Sequence, residues 1–468
     1  MSFPINSAIK KYASKQRISF SMPGHKGKDV INTKDLFKLD VTELCDTDDL
    51  MAPENYIRHS MEKLKKIYKT KSTHYLLGGS TSGIYSMISL AVKEGDKIIV
   101  DRFCHKSVIN AIILNGATPV YITPQYNYQF SFTGGMFPAE VASAIESNPD
   151  AKAVLITSPT YYGTVSDVKS IAELTHRANM LLLVDEAHGA HFHVSSLLPR
   201  NAIENGADMS VQSVHKTLGA MSGGALLHIN TDKFINSQIL EAISMHHTSS
   251  PSYASLCVLE GAVYSALKFE KEYEKLIEEI DKNRKKVNSL GKAYWIGEDL
   301  VGNCGVFDID KTRIVINFSK LSLTGYAAAQ LLRDKYNIEV EMADEKNIVC
   351  IVTPYNKISH VKKLADSIVS ITKKMKTVTS SSESFVLPSP IVKLSPRKAY
   401  NMDFETVYMQ DAVGKTAKNI ICKYPPGIPL IVPGEEITAK HIKIITDTIE
   451  LGGNITGIEK DYKINIIK

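Results

Sequence analysis

Between residues 72 and 230, short apolar runs alternate with stretches of helical period. Residues 97–100, 118–122, 153–157 and 180–185 are almost continuously apolar, which is how strands covered on both faces read. Apolar positions three and four apart mark helices over 81–92, 106–114, 138–147 and 166–178. Further strand-like runs at 73–77, 207–211 and 225–229 flank the same region. Strands alternating with helices predict an α/β domain built on a mostly parallel sheet. Residues 1–70 are polar and irregular, with one helix over 55–68. Such an arm has little core of its own and must pack on something, a partner subunit being one option. A single long helix with charged faces is expected over 252–290, leaving the sheet domain. Strands near 313–318 and 348–352, with helices at 324–336 and 358–374, predict a small α/β domain. The hydroxyl-rich stretch that follows reads as a linker, and the remainder as a separate C-terminal α/β appendage. The expected division is an arm (1–70), a large domain (71–290), a small domain (291–375), a linker (376–390) and a C-terminal domain (391–468).

Composition narrows the function without naming it. A chain of 468 residues is too long for one ordinary domain. Its formal charge of +5 is spread rather than striped, so a nucleic-acid surface is not expected. The six cysteines form no CxxC pair, which points to reduced thiols rather than a disulfide frame or a zinc site. No apolar run approaches membrane-spanning length, and the N-terminus lacks the pattern of a signal peptide. A cytoplasmic protein with no membrane partner is expected.

Chemistry-bearing residues fall at the carboxyl ends of the predicted strands, where open parallel sheets bind their ligands. The run Gly78-Gly79-Ser80-Thr81-Ser82-Gly83 follows a strand and opens a helix. Glycines, hydroxyls and free backbone N–H groups together make a phosphate cradle, although a lone instance is more often a turn with an N-cap. The run has no Lys-Ser/Thr ending and no GxGxxG, so a mononucleotide or pyridoxal phosphate (PLP) fits it best. His105 follows the second strand, where an imidazole face could stack on a ring or simply start a helix. Asp185 ends the apolar run 180–185, where a carboxylate can keep a pyridine nitrogen protonated. His188, His191 and His193 lie close behind, but no partner motif supports a metal. Lys216, in Ser213-Val214-His215-Lys216-Thr217, stands between two strand-like runs. Apolar surroundings lower a lysine's pKa and free its amine to attack an aldehyde. Four such groups in this order are the arrangement that a fold-type-I PLP enzyme needs.

The same residues resemble the Orn/Lys/Arg decarboxylase family of PLP enzymes, across nearly the whole chain. The likeness is carried by Met22-Pro23-Gly24-His25-Lys26-Gly27, Asp40-Val41-Thr42-Glu43, Asp48-Asp49-Leu50 and Gly79-Ser80-Thr81. It continues through Asp101 to Ser107, Ser158 to Gly163, Asp185 to His188, Ser213 to Lys216 and His247-Thr248-Ser249-Ser250-Pro251. Leu394 to Arg397, Tyr424 to Pro429 and Pro433-Gly434-Glu435 complete it. Ile84 departs from the pattern where many relatives carry Asn, and Cys45 interrupts the acidic arm segment. The chain is similar to the compact branch represented by biosynthetic arginine decarboxylase.

This resemblance implies a fold-type-I large domain, a small α/β domain and a C-terminal decarboxylase domain, with pyridoxal 5'-phosphate as cofactor. It implies that Lys216 is the amine bonded to the cofactor, that His105 stacks on the ring, that Asp185 pairs with the ring nitrogen, and that His188 lies close to the ring. Ser80, Thr81, Ser213 and His215 would hold the phosphate. Thr248 and Ser249 would reach a phosphate in a neighbouring subunit, hence a homodimer with shared sites. Glu435 is the tentative contact to the substrate's distal group, and His215 or Lys216 would protonate Cα. The expected reaction is loss of CO2 from a basic amino acid, arginine first (polyamine biosynthesis), then lysine or ornithine. A fold-type-I aminotransferase or aldolase, or a PLP-binding protein without turnover, are the other readings.

Overall fold

Seven strands form the central sheet: β1 (Ser72–Leu76), β2 (Lys97–Asp101), β3 (Thr118–Ile122), β4 (Ala153–Thr157), β5 (Leu181–Asp185), β6 (Met209–Gln212) and β7 (Ala225–Ile229). The computed structural model describes residues 4–30, 32, 36–378 and 387–468. The spatial order is β1-β7-β6-β5-β4-β2-β3. All neighbouring pairs are parallel except those of β7, which runs antiparallel to both β6 and β1. Three of the near-continuous apolar strands, β2, β4 and β5, are sandwiched as their composition demands, whereas β3 lies at the sheet edge and buries only Ile122. In β2, Ile98 and Val100 join one core with Leu155, Leu183 and Val211, while Ile99 joins Val154, Ile156 and Leu182 on the opposite face. Fully burying one such side chain is worth about 1.5–3 kcal/mol.

Helices seal both faces. The N-terminal α1 (Pro4–Ser14) stands apart from the core, and α2 (Tyr56–Tyr68) packs beside β1. The helices α3 (Gly79–Ala91), α4 (Lys106–Asn115), α5 (Pro138–Ser147) and α6 (Val168–Arg177) lie within two residues of their expected bounds. Each of the first two begins at the carboxyl end of a strand, which sets their N-termini around one edge of the sheet.

The long helix expected over 252–290 is instead two. A break at Leu267-Lys268-Phe269 separates α7 (Tyr253–Ala266) from α8 (Glu270–Asn288). The cause is a change of packing partner. Leu259, Ala262 and Val263 of α7 belong to the core under β7, whereas Leu276, Ile280 and Val287 of α8 belong to the core of the small domain. Phe269, with φ −98° and ψ 11°, makes the corner and meets the Tyr355 ring edge-on at 5.5 Å.

The small domain is an antiparallel sheet of β8 (Tyr294–Trp295), β9 (Arg313–Asn317), β10 (Met342–Ala343) and β11 (Asn347–Ile351), in the order β8-β9-β11-β10. The helices α9 (Gly325–Tyr336) and α10 (Ile358–Lys374) contribute Ala328, Leu332, Leu364 and Ile368 to its core. Helix α1 was not anticipated and buries none of its residues. The arm after it docks on its own chain: Ile18 pairs with Ile338, and Phe20 is fully buried in the small-domain core. Most of the expected linker, residues 379–386, lies outside the described residues. The C-terminal region holds α11 (Pro396–Asn401), β12 (Phe404–Tyr408), β13 (Ile421–Tyr424), β14 (Ile428–Ile431), α12 (Ala439–Glu450), β15 (Asn454–Thr456) and β16 (Lys463–Ile467). Among the described residues, no helix is long and apolar enough to cross a membrane.

Imidazoles buried in this frame make its stability depend on pH. His228 on β7 is fully buried, bonds Thr73 and Gln212, and lies 4.5 Å from the Tyr68 ring. Burial pushes its pKa down to about 3. A depressed native pKa means that the unfolded chain binds the extra proton, so the stabilisation is present above the unfolded value and is lost on acidification. We expect wild-type stability to fall more steeply than that of His228→Gln between pH 6.5 and 4, by on the order of 1.4 kcal/mol per pH unit. Urea unfolding of both proteins across that range measures the difference, and parallel curves would refute it.

Candidate active site

The carboxyl ends of β1, β2, β5 and β6 open onto one cavity of roughly 520 Å³. Strand β1 runs into Gly78 and α3, whose first residue, Gly79, has φ +71° and open space where a Cβ would sit. Gly79, Ser80 and Thr81 line the cavity, presenting a helix start with unhindered backbone N–H groups. Gly223, before β7, accepts the Gly79 N–H at 2.7 Å and so ties the cradle to the hairpin carrying Lys216.

Asp185 ends β5, and only 3% of it is exposed. Its Oδ1 accepts the Ala187 N–H at 3.2 Å, and the side chain faces the cavity. Burial raises its pKa, with the Lys216 charge working against that. Lys216 lies in a single helical turn (Val214–Thr217) after β6, and its Nζ is 3.1 Å from His188 Nε2. Removal from water lowers the lysine's pKa, while Asp185 and Glu341 pull it upward. Burial wins, so the amine loses its proton more readily than a surface lysine.

His105 caps α4. Its Nδ1 accepts the Ser107 N–H at 3.2 Å, and burial brings its pKa down to about 4. The ring nonetheless lines the cavity, so the helix-start role and a wall role coincide. His215 Nδ1 is 2.9 Å from the Gly224 carbonyl, which can only accept. The ring therefore carries its hydrogen on Nδ1 and leaves Nε2 bare, and burial brings its pKa down to about 4. Near neutral pH His215 carries no proton on its free side, so the expected acid role requires it to take up a second one. Ser213 is fully buried, and its Oγ finds no partner among the described residues.

The remaining expected residues divide. The three histidines after Asp185 diverge: His188 faces Lys216, His191 pairs with Asp310 at 3.2 Å, and His193 packs against Tyr68. Thr248 and Ser249 are exposed and do not line this cavity. Their segment is pinned beside α3 by His247, whose Nε2 accepts the Leu77 N–H at 2.8 Å. The structure does not place Glu435, the expected substrate contact, on the cavity. This residue is 1% exposed and paired with Arg102 at 2.8 and 3.1 Å.

Several cavity residues escaped the sequence reading. Glu341 accepts the Met22 N–H at 2.7 Å and the Tyr161 hydroxyl. Phe103, Thr157, Tyr162 and the C-terminal segment Tyr424-Pro425-Pro426, with Ile428, complete the walls. Tyr161, Tyr162 and the Tyr424 segment stood inside quoted motifs without a role, whereas nothing local marks Glu341. The arm motif also acquires a place. Gly24 donates to the His215 carbonyl at 2.8 Å, and a Cβ there would sit 2.0 Å from the Leu218 oxygen. Only glycine lets the arm lie that close to the Lys216 turn.

Whether these residues suit PLP can be judged on the chain itself. A glycine cradle, a buried carboxylate and a deprotonation-prone amine meet at one cavity, while the orphaned Ser213 hydroxyl lies behind the lining, three residues before that amine. The cradle, carboxylate and amine fit a phosphate, a pyridine nitrogen and an aldehyde respectively. Among the described residues no group of His, Cys, Asp and Glu has the arrangement to hold a metal ion.

Comparison with known proteins agrees with this geometry. Residues 3–315 match the Orn/Lys/Arg decarboxylase major domain, and residues 379–461 match the C-terminal domain of the same enzymes. The chain is 31% identical to an arginine decarboxylase of Bacillus subtilis, over 99% of this chain and 98% of that one. It is 32% identical to an arginine decarboxylase of Halalkalibacterium halodurans, covering 98% and 96%. Among solved structures it resembles the Francisella novicida lysine decarboxylase, with TM-score 0.78 at 19% identity over 92% of this chain and 75% of that one. The Escherichia coli constitutive lysine decarboxylase gives TM-score 0.75 at 18% identity, covering 100% and 82%.

The Arg102–Glu435 pair generates a test of its own. Arg102 also donates to the carbonyls of Pro429 and Leu430, at 2.8 and 3.2 Å. Removing one partner leaves a buried charge alone, at a cost of about 3–5 kcal/mol. Glu435→Ala and Arg102→Met are each expected to lose that much stability in chemical denaturation. A Glu435→Ala protein of unchanged stability but sharply raised KM would restore Glu435 to substrate binding.

Proposed function

The chain belongs to the Orn/Lys/Arg decarboxylase family, and from that premise we propose that it decarboxylates L-arginine to agmatine with PLP as cofactor. The observation that carries this is the meeting of Lys216, Asp185 and the α3 N-terminus on one cavity. Arginine is preferred to lysine or ornithine because the full-length relatives at 31–32% identity bear the name arginine decarboxylase. The inducible lysine decarboxylase of Escherichia coli is only 20% identical. We place the enzyme in the cytoplasm, as a homodimer serving polyamine biosynthesis.

When bound, PLP supplies an aldehyde that captures amines and a protonated ring that accepts the electron pair left by departing CO2. In this reading Lys216 is the covalent anchor and Asp185 receives the ring N–H. His105 and His188 flank the ring, and Ser80, Thr81, Ser213 and His215 hold the phosphate. Thr248 and Ser249 serve the neighbouring subunit's phosphate, in keeping with their exposure in one chain. His215 acts there only after taking a second proton, which an adjacent anion favours. Phe103, Pro425, Pro426 and Ile428 keep water from the cavity, so charge on the substrate carboxylate is poorly solvated where CO2 must leave. His188 Nε2 and Lys216 Nζ, 3.1 Å apart, are the pair between which a proton can be held beside the substrate.

Purified protein loaded with PLP is expected to release CO2 and agmatine from arginine, faster than it acts on lysine or ornithine. Lys216→Ala should lower kcat by roughly a thousandfold or more. Borohydride reduction should fix the pyridoxyl group on Lys216. Absence of CO2 from all three amino acids sinks the proposal, and keto-acid products would reassign the chain to amine transfer.

A further inference from the structure

Three histidines border the amine of Lys216, and which of their nitrogens carry hydrogen is decided by partners that can only donate or only accept. At His105 a backbone N–H points at Nδ1, so the hydrogen is on Nε2. At His215 a carbonyl faces Nδ1, so Nε2 is bare. At His188 the partner of Nδ1 is Arg313 Nη2, at 3.0 Å. A guanidinium has no lone pair to offer, so His188 Nδ1 must accept. A neutral imidazole then carries its single hydrogen on Nε2, the atom 3.1 Å from Lys216 Nζ. That hydrogen can be received only by an uncharged amine, because an ammonium has no lone pair.

We propose that Arg313 is a positioning residue that fixes His188 as the Nε2–H tautomer and thereby holds Lys216 as the free amine. This rests on reading Lys216 as the reacting amine. Arg313 reaches no cavity wall and touches the chemistry only through His188. It is the first residue of β9 and is 3% exposed. Its Cβ and Cγ lie against Gly163, where a Cβ would approach them to 2.6 and 2.7 Å. Nε and Nη1 find no hydrogen-bond partner among the described residues, although the charge helps to hold the buried Asp310 carboxyl below its ordinary range. The bond to His188 is the directed interaction this guanidinium makes.

The other groups around the pair leave the assignment standing. The Tyr161 ring meets His188 edge-on at 4.7 Å, but its hydroxyl is engaged by Glu341 and does not compete for the imidazole. Asp185 and Glu341 favour a proton on Lys216, while burial and the Arg313 charge oppose it. Burial, Lys216, Arg313, His105 and His215 all disfavour a second proton on His188. Of the three histidines, His188 is the one with a ring nitrogen at hydrogen-bond distance from the amine among the described residues.

The test uses full-length protein without cofactor, so it does not depend on turnover. In [15N]histidine-labelled protein, the His188 resonances are assigned by their loss in His188→Asn. They are expected to show a protonated Nε2 and a bare Nδ1. Competitive acetylation read by mass spectrometry follows the pH at which Lys216 becomes nucleophilic. Arg313→Met is expected to mix the His188 tautomers and raise the Lys216 midpoint by on the order of one pH unit. Arg313→Lys, a donor-only cation, should restore both. Hydrogen on Nδ1 in the wild type overturns the proposal, a result that stands whether or not Arg313→Met folds. So does an Arg313→Met protein whose His188 keeps its tautomer, even with a shifted Lys216, since Arg313 would then be only a background charge. Failure to release CO2 from arginine would count against the decarboxylase reading instead and leave these signals in place.

Discussion

An amine that must shed its proton beside two carboxylates sets the terms for this site. Asp185 and Glu341 both stabilise an ammonium at Lys216, and each pKa unit they add is about 1.4 kcal/mol in the unwanted direction. Neither is dispensable in its place. Glu341 holds Met22 and Tyr161, and Asp185 is the buried carboxylate that ends β5 and lines the cavity. The opposing influence is removal from water, so the cavity has to be closed well enough for desolvation to prevail. Enclosure is therefore a chemical requirement here as well as a means of keeping substrate in place.

A sheet edge cannot enclose anything alone. Strands β1, β2, β5 and β6 supply the floor, but their loops leave it open above. Two distant parts of the chain close it. The arm reaches in through Gly24, whose missing Cβ lets it rest on the Lys216 turn while Thr353 of the small domain holds its carbonyl at 2.7 Å. The C-terminal segment Tyr424-Pro425-Pro426 covers the side of His105, with Gly427 accepting the Lys106 N–H at 3.0 Å. Both segments carry motifs on which the resemblance to the decarboxylase family rests, and both reach the cavity wall, through Met22 and through Tyr424 to Pro426.

The sheet was legible because strands buried on both faces leave unbroken apolar runs, and β4 falls where such a run does. The site residues at strand ends were legible for the same reason: Asp185 and Lys216 follow directly from where β5 and β6 stop. What stayed hidden depends on contacts between segments far apart in sequence. Arg313 opens β9 and Glu341 lies in the bend just before β10, where the local pattern speaks only of burial. Glu435 drew attention as a carboxylate in a motif, yet its partner Arg102 lies 333 positions away. The helix break at Phe269 was hidden because periodicity records that a face is apolar and not which core it faces.

The Arg102–Glu435 pair then calls for a reason beyond stability, since two buried ions of this kind often gain little over an apolar replacement. Its geometry provides one. Arg102 stands three residues before His105 and directs three nitrogens at Glu435 and at the carbonyls of Pro429 and Leu430. Glu435 in turn accepts the Val432 N–H at 2.8 Å. Apolar side chains could fill the same volume, but they would leave these carbonyls and this N–H without partners and allow the C-terminal hairpin to slide. A fan of directed bonds fixes both the distance and the rotation of that hairpin over the start of α4. The carboxylate that the sequence offers to the substrate thus does its work one layer back, by holding the wall in register with the ring of His105.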